Sequence, residues 1–324
     1  MKNYFKIIRP ANLLFIGILT AFFYFGVLTP LLGQYGIRIP CSVPIFVLLE
    51  ISAIFIAAGG YVVNDYFDTK IDEINRPSKV IVGHGMSRKQ AAVYFQCLFA
   101  IGIAAGIALA VIVGDFTLAF LYLVVAGLLW FYSSSYKRQF LIGNLIIAIC
   151  AFAAIFIPGY AVAAAMIKHY DFLIYQTGIL PEIYSWSCAI GLCSLLLTFV
   201  REIVKDMEDV EGDRENECRT MPVVWGIAKS KIFVAVMAAA SLAVIGYFAF
   251  FLSPFENDPV SGKYYLTGIV LPFLIFFYML GKAGCKKEFH NISSLLKYIM
   301  AIGCCYCLFV YYLILLNSPS YVAY

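Results

Sequence analysis

Residues 43–72 read VPIFVLLEISAIFIAAGGYVVNDYFDTKID, and this stretch decides the fold. As far as Val63 it carries one charge, Glu50, whereas its last nine residues carry Asp65, Asp68, Lys70 and Asp72. A helix that crosses a bilayer needs roughly 20 apolar residues, so the stretch reads as a membrane span ending in an acidic cluster at the surface. A transmembrane strand would alternate in polarity over about ten residues. This run is unbroken.

The rest of the chain repeats that pattern. Apolar windows predict helices near 12–32, 43–66, 91–113, 117–132, 140–166, 184–208, 232–252, 265–281 and 295–316, with Pro158 expected to kink the fifth. Of the 324 residues, 63% are hydrophobic and only 13% charged, against about 25% charged in soluble domains. With a mean hydropathy of +0.88, a soluble globule is excluded. The net charge of +4 gives no reason to expect a nucleic-acid partner. The ten cysteines lie mainly inside apolar runs without CxxC spacing, so neither zinc nor disulfides are expected. The expected fold class is an all-α membrane protein. It is a bundle of about nine transmembrane helices with a cytoplasmic-side polar cap over the active site, forming a single domain over residues 1–324.

Topology follows from the basic residues. All 23 except Arg38, Lys168 and Lys263 fall on the side that holds Lys2, Lys6 and Arg9. The excess of Lys and Arg marks the cytoplasmic side. The N-terminus is therefore expected inside and the C-terminus outside, with the first apolar run retained as a helix.

A second acidic cluster ends the sixth helix: REIVKDMEDVEGD, residues 201–213. At roughly 100° per residue, Glu202, Asp206, Asp209 and Asp213 share about 60° of arc, and Asn64, Asp65, Asp68 and Asp72 share about a quarter-turn. Like charges so placed destabilise a helix, so a cation is expected among them. Magnesium suits, because it takes one or two carboxylates and completes its shell with substrate phosphates and water. Two such stripes on one side could hold magnesium bridged by a diphosphate, with Arg76, Lys79, Lys137, Arg138, Lys205 and Arg219 completing the neutralisation. Each stripe is followed by a basic loop with proline and glycine, so the halves 1–138 and 139–324 read as a weak internal repeat. A third element, Tyr132 to Arg138, brings a tyrosine and Lys137 to the same side. His84, His169 and His290 receive no role.

With these residues in view, the chain resembles the UbiA superfamily of intramembrane prenyltransferases. Asn64-Asp65-x-x-Asp68-x-x-x-Asp72 and Asp206-x-x-Asp209-x-x-x-Asp213 match its two acidic motifs, and Tyr132 with Lys137 looks like its tyrosine–lysine element. Residues 64–77 and 201–214, followed by Arg219-Thr220-Met221-Pro222, resemble its digeranylgeranylglyceryl phosphate synthase branch. The chain departs from that branch after Pro77, where Ser78 to Gly83 replaces an acidic–basic pair and two prolines.

The resemblance implies Mg2+-dependent transfer of a polyprenyl group from an allylic diphosphate, such as geranylgeranyl diphosphate, to a lipophilic acceptor. Geranylgeranylglyceryl phosphate is the implied acceptor class, in a bacterial or archaeal plasma membrane. It implies catalytic roles for Asp68, Asp72, Lys137, Asp209 and Tyr132. Diphosphate contacts fall to Arg76, Lys137, Arg138, Lys205 and Arg219, and metal ligation to Asn64, Asp65, Asp68, Asp206, Asp209 and Asp213. Two other readings fit the same charges. One is an aromatic prenyltransferase of quinone, haem or chlorophyll biosynthesis, and the other is a transporter of a cation or phosphorylated solute.

Overall fold

The computed structural model describes residues 2–75, 77, 80–251, 258 and 260–317, so Arg76 and Lys79 lie outside the described residues. Among the described residues nine helices are long and apolar enough to cross a membrane. We number them α1 (Pro10–Gln34), α2 (Ser42–Phe67), α3 (Arg88–Val113), α4 (Thr117–Ser134), α5 (Ile142–Tyr170), α6 (Ile179–Glu208), α7 (Ile227–Phe251), α8 (Ser261–Lys282) and α9 (Lys286–Asn317).

Several helices start earlier than their apolar windows. The polar first turns of α9 (Lys286, Glu288, His290) stay helical beyond the part that lipid would cover. A capping box between Ser87 and Gln90 fixes the start of α3 at Arg88, by satisfying two of the amides that a helix start leaves unpaired. Pro158 sits inside α5, which runs unbroken through it. In α1 and α8 the turns Tyr24–Leu28 and Tyr265–Val270 widen to π-helical geometry just ahead of Pro30 and Pro272. A proline lacks the amide and crowds the carbonyl four residues back, and the wider turn absorbs that mismatch.

Hydrogen bonds at the helix ends sort the spans into an up-and-down bundle. On one side Arg9 meets Asp65, Lys137 meets Asp68, His290 meets Glu208 at 3.0 Å, and Lys231 reaches the Gly281 carbonyl. On the other, Tyr160 donates to Asp115 at 2.6 Å, Tyr35 to Glu182, and Lys168 to the Ile112 carbonyl at 2.7 Å. The alternation expected from the basic residues is therefore also the alternation of the contacts.

Packing places α2 and α6 at comparable positions. The helix α2 packs on α1, α3 and α4, and α6 packs on α5, α7 and α9. Small residues allow the closest approaches. A side chain at Gly159 of α5 would overlap Ser187 of α6, its Cβ lying 2.9 Å from that of Ser187. Three buried apolar clusters result. One fills the Asp115 side, one lies among α6, α7, α8 and α9, and one lies among the N-terminal segment, α2 and α3. The two latter clusters flank the acidic helix ends.

Candidate active site

The two acidic motifs are built alike. The helix α2 ends at Phe67, Asp68 follows with φ −89° and ψ 3°, and a short helix resumes over Thr69–Asn75. The helix α6 ends at Glu208, Asp209 follows with φ −100° and ψ 9°, and a short helix resumes over Val210–Glu215. The continuous helical stripes expected from the spacing are thus each bent at the second acid of the motif. The bend is mild because hydrogen bonding carries through it. Asp68 N–H donates to the Asn64 carbonyl and Asp72 N–H to that of Asp68, and the bonds Asp209 to Lys205 and Asp213 to Asp209 repeat the pattern. The two short helices then pack against each other, which brings the motifs face to face.

In the first motif, Asn64 Nδ2 donates to Asp68 Oδ2 at 2.7 Å, and the Lys137 ammonium donates to the same oxygen. Asp68 is 2% exposed, so this ion pair is screened little by water. Arg9 Nη2 lies 2.6 Å from Asp65 Oδ1, and its guanidinium stacks over the Tyr61 ring at 5.0 Å. Burial works against the charge on Arg9, yet Asp65 and Tyr61 outweigh it and its pKa stands above the ordinary value. Arg9 does so from a left-handed backbone, φ 53°, immediately before Pro10.

In the second motif, Thr220 Oγ1 donates to Asp213 Oδ2 at 3.1 Å, and Asn144 Nδ2 donates to Asp206 Oδ2 at 2.7 Å. Glu202 pairs with Arg201 at 2.7 Å and with Lys205 at 3.7 Å. Asp213 is pushed up to about 6 by burial, against the pull of Lys137, with Asp209 and Asp68 adding to the rise.

Lys137 ties the halves together. It sits on a single turn, Tyr136–Arg138, between α4 and α5. Gly143 lets α5 start close beneath that turn, since a Cβ there would stand 2.9 Å from Lys137 Cα. Burial opposes the ammonium charge, but Asp68, Tyr132 and Asp72 more than restore it, and its pKa is raised. Its charge also reaches Asp213 and Glu202. One cation therefore stands in the field of both acidic motifs.

Of the residues singled out from sequence, the structure brings Asn64, Asp65, Asp68, Asp72, Tyr132, Lys137, Asp206, Asp209 and Asp213 together at this end of the bundle. Lys205 lies beside Glu202 and in the field of Asp206. Arg138 and Arg219 are exposed at the rim, joined by the Arg219 N–H donating to the Arg138 carbonyl at 2.8 Å. Sequence reasoning missed Arg9, Asn144 and Thr220 as partners of the acids. The one available signal was a polar residue, Asn144, opening an otherwise apolar span. Among the described residues no three His, Cys, Asp or Glu side chains converge closely enough to cage a metal by themselves.

Deeper in the bundle an apolar cavity of about 410 Å³ opens among α1, α6, α7, α8 and α9, lined by Phe15, Leu19, Trp186, Leu197, Tyr264 and Met300 among others.

The UbiA prenyltransferase family model matches residues 27–295. Digeranylgeranylglyceryl phosphate synthase from Methanothermobacter thermautotrophicus is 32% identical over 257 residues, covering 77% of this chain and 78% of that protein. A solved structure of a digeranylgeranylglyceryl phosphate synthase in membranes superposes with a TM-score of 0.62 at 23% identity, over 96% of this chain and 98% of the other. A UbiA homolog from Archaeoglobus fulgidus, bound to GPP and Mg2+, superposes with a TM-score of 0.58 at 16% identity, over 94% and 99%. At these identities the two structures speak for the fold.

Proposed function

Because this chain belongs to the UbiA prenyltransferase family, we propose that it is an integral membrane enzyme that moves a polyprenyl group from an allylic diphosphate to geranylgeranylglyceryl phosphate or a similar ether-lipid precursor. The relatives named as digeranylgeranylglyceryl phosphate synthases support that acceptor class, and the GPP- and Mg2+-bound homolog supports the donor and the metal. The observation that carries the reading is Lys137, set in the field of both acidic motifs at once.

The donor set fits magnesium. All the candidate ligands are hard oxygens (Asn64, Asp65 and Asp68 in one motif; Asp206, Asp209 and Asp213 in the other), and among the described residues no closed protein cage competes with substrate oxygens for the ion. Such a site suits an ion that shares its shell with phosphates and water. When bound there, magnesium neutralises negative charge on the diphosphate.

The chain's own residues do the rest. Lys137 with Arg76, Arg138, Lys205 and Arg219 holds the diphosphate and stabilises the charge that grows as it leaves, the kind of interaction expected to dominate such a reaction. Asp68, Asp72 and Asp209 keep the cations oriented, and the Tyr132 ring, in the last turn of α4, offers its face to positive charge growing on the allylic carbon. The allylic C–O bond breaks with its electron pair going to the diphosphate. An acceptor hydroxyl oxygen bonds the allylic carbon, and the departing diphosphate takes the proton. The short helices over Thr69–Asn75 and Val210–Glu215 act as the polar cap that keeps bulk water away.

The basic residues support an N-terminus inside and a C-terminus outside; the membrane proposed is a bacterial or archaeal plasma membrane. The shared bend at Asp68 and Asp209 supports a single domain of two related halves, about 1–138 and 139–324.

Purified protein incubated with magnesium, geranylgeranyl diphosphate and a panel of acceptors tests the reading. Ether product from geranylgeranylglyceryl phosphate is expected, lost with chelator and in Asp68→Ala and Asp213→Ala. Transfer to 4-hydroxybenzoate alone would overturn the acceptor, and retained turnover in both variants would overturn the magnesium site.

A further inference from the structure

We infer that a second anion site, deeper along α6 than the acids that face the diphosphate, takes the phosphate monoester headgroup of the acceptor lipid, whose tail runs into the apolar cavity beside it. The inference rests on the acceptor class proposed above and assigns residues to it.

The site is a cationic cluster at the junction of α1, α6 and α9. Arg201 and Lys205 are four residues apart on α6, hence on one face. The charges of Arg201, Lys205 and Arg9 all act on Lys297 of α9, with Glu202 the acid among them. Tyr61 of α2 lies within the same field, facing Arg9, Arg201 and Glu202. Leaving Lys205 to the diphosphate and counting Asp65 as the partner of Arg9, three cations (Arg9, Arg201 and Lys297) meet two carboxylates and one positive charge is left over. A phosphate monoester carries about −1.5 to −2 at neutral pH and offers three acceptor oxygens.

Arg201 has spare donor capacity. Its Nη1 is taken by Glu202, but its buried Nε has no hydrogen-bond partner among the described residues. Arg201 also lies seven residues short of the end of α6, about 10 Å below it at the helical rise. An ionisable group at such depth marks a functional site by default.

The cavity supplies the other half of an amphiphile site. Leu197 and Met300 line its wall, one turn from Arg201 on α6 and from Lys297 on α9. A lipid with an anionic head and an isoprenoid tail thus finds both parts of its complement along the same two helix faces. Glu202 also feels the charge of Lys137, so the cluster and the diphosphate site adjoin at this carboxylate. A glyceryl phosphate anchored here presents its neighbouring hydroxyl toward the diphosphate site.

The test uses the full chain in nanodiscs, with Arg201→Gln, Arg201→Lys and Lys297→Gln. In both Gln variants the KM for geranylgeranylglyceryl phosphate should rise about tenfold or more while the KM for geranylgeranyl diphosphate stays within about twofold, and Arg201→Lys should recover part of the loss. On geranylgeranylglycerol, which lacks the phosphate, wild type and variants should perform alike. Equilibrium binding of geranylgeranylglyceryl phosphate without donor should weaken in the same variants, and millimolar inorganic phosphate should compete poorly, which separates a lipid headgroup from free phosphate. Parallel rises in both KM values would make the cluster part of the diphosphate cradle and overturn the inference, as would unchanged acceptor binding in both Gln variants. A wild type that binds the phosphate lipid through Arg201 but never prenylates it would uphold the site and remove only the proposed acceptor.

Discussion

Asp68 and Asp209 adopt the same backbone conformation, φ −89°, ψ 3° and φ −100°, ψ 9°, each at the joint between a membrane-spanning helix and a short helix beyond it. This sparsely populated bridge region is where active-site residues often sit. Beyond the joint, Thr69–Asn75 and Val210–Glu215 pack against each other.

Lys137→Met should expose the value of the central ion pair. The buried Asp68 carboxylate would keep the Asn64 amide but lose its cation. Breaking such a pair costs about 3–5 kcal/mol. Thermal unfolding in detergent should show the single variant well below wild type, and adding Asp68→Asn should recover part of the loss. Turnover of Lys137→Met should fall about 10²–10³-fold, the range for losing one charge-stabilising donor, and further in the double variant, which also alters a metal ligand. An unchanged unfolding temperature for Lys137→Met would remove this pair from the account.

Asp213 gives a pH signature in metal-free protein. Its folded pKa is raised to about 6 from 3.8, mainly by burial, so the folded state binds the proton more tightly than the unfolded chain. Stability from this group is therefore greatest below pH 3.8, declines as pH rises toward about 6, and is level above that. Unfolding followed in chelator from acid to neutral pH should show a steeper decline in wild type than in Asp213→Asn. Parallel curves for the two proteins would place the titration elsewhere.

Gly159→Ala tests the packing of α5 on α6. The new methyl would overlap the buried Ser187 hydroxyl, which donates to the Ile183 carbonyl at 2.6 Å. Overpacking of this kind costs about 1–3 kcal/mol. A lower unfolding temperature is expected, with kcat per folded enzyme little changed because the contact is remote from the acids. Wild-type stability would show that the helices separate freely there.

Tyr160→Phe serves as a control on the opposite side. It removes one hydrogen bond to Asp115, partly exposed to solvent, and should cost no more than about 1 kcal/mol. Turnover should match wild type. A drop in turnover would mean that the two ends of the bundle are coupled.

The spans and both acidic motifs were legible in the sequence because long apolar runs and charges at helical spacing are local signals. The alternation of basic loops gave the sidedness that Arg9–Asp65 and Tyr160–Asp115 then display in opposite places. The bends at Asp68 and Asp209 were not legible. One residue near φ −90° leaves the four-residue spacing of the acids intact, so periodicity runs straight through it. Arg9 reads from sequence as a topological charge, since nothing local announces a partner 56 positions away. Arg201 and Lys297 are similar: each reads as a basic residue near the charged end of its own span, and only the packing of α6 on α9 turns them into a cluster.

Arg9 carries a further consequence. A left-handed conformation costs an arginine roughly 1–2 kcal/mol, whereas glycine adopts it with ease. Arg9→Gly would relieve that cost while deleting the guanidinium that steadies Asp65. The same change would leave the largely buried Asp65 carboxylate without its cation, a loss that outweighs the relieved strain. A screen for heat tolerance alone would therefore keep arginine at position 9, where durability and chemistry pull in the same direction and backbone strain is the cost of both.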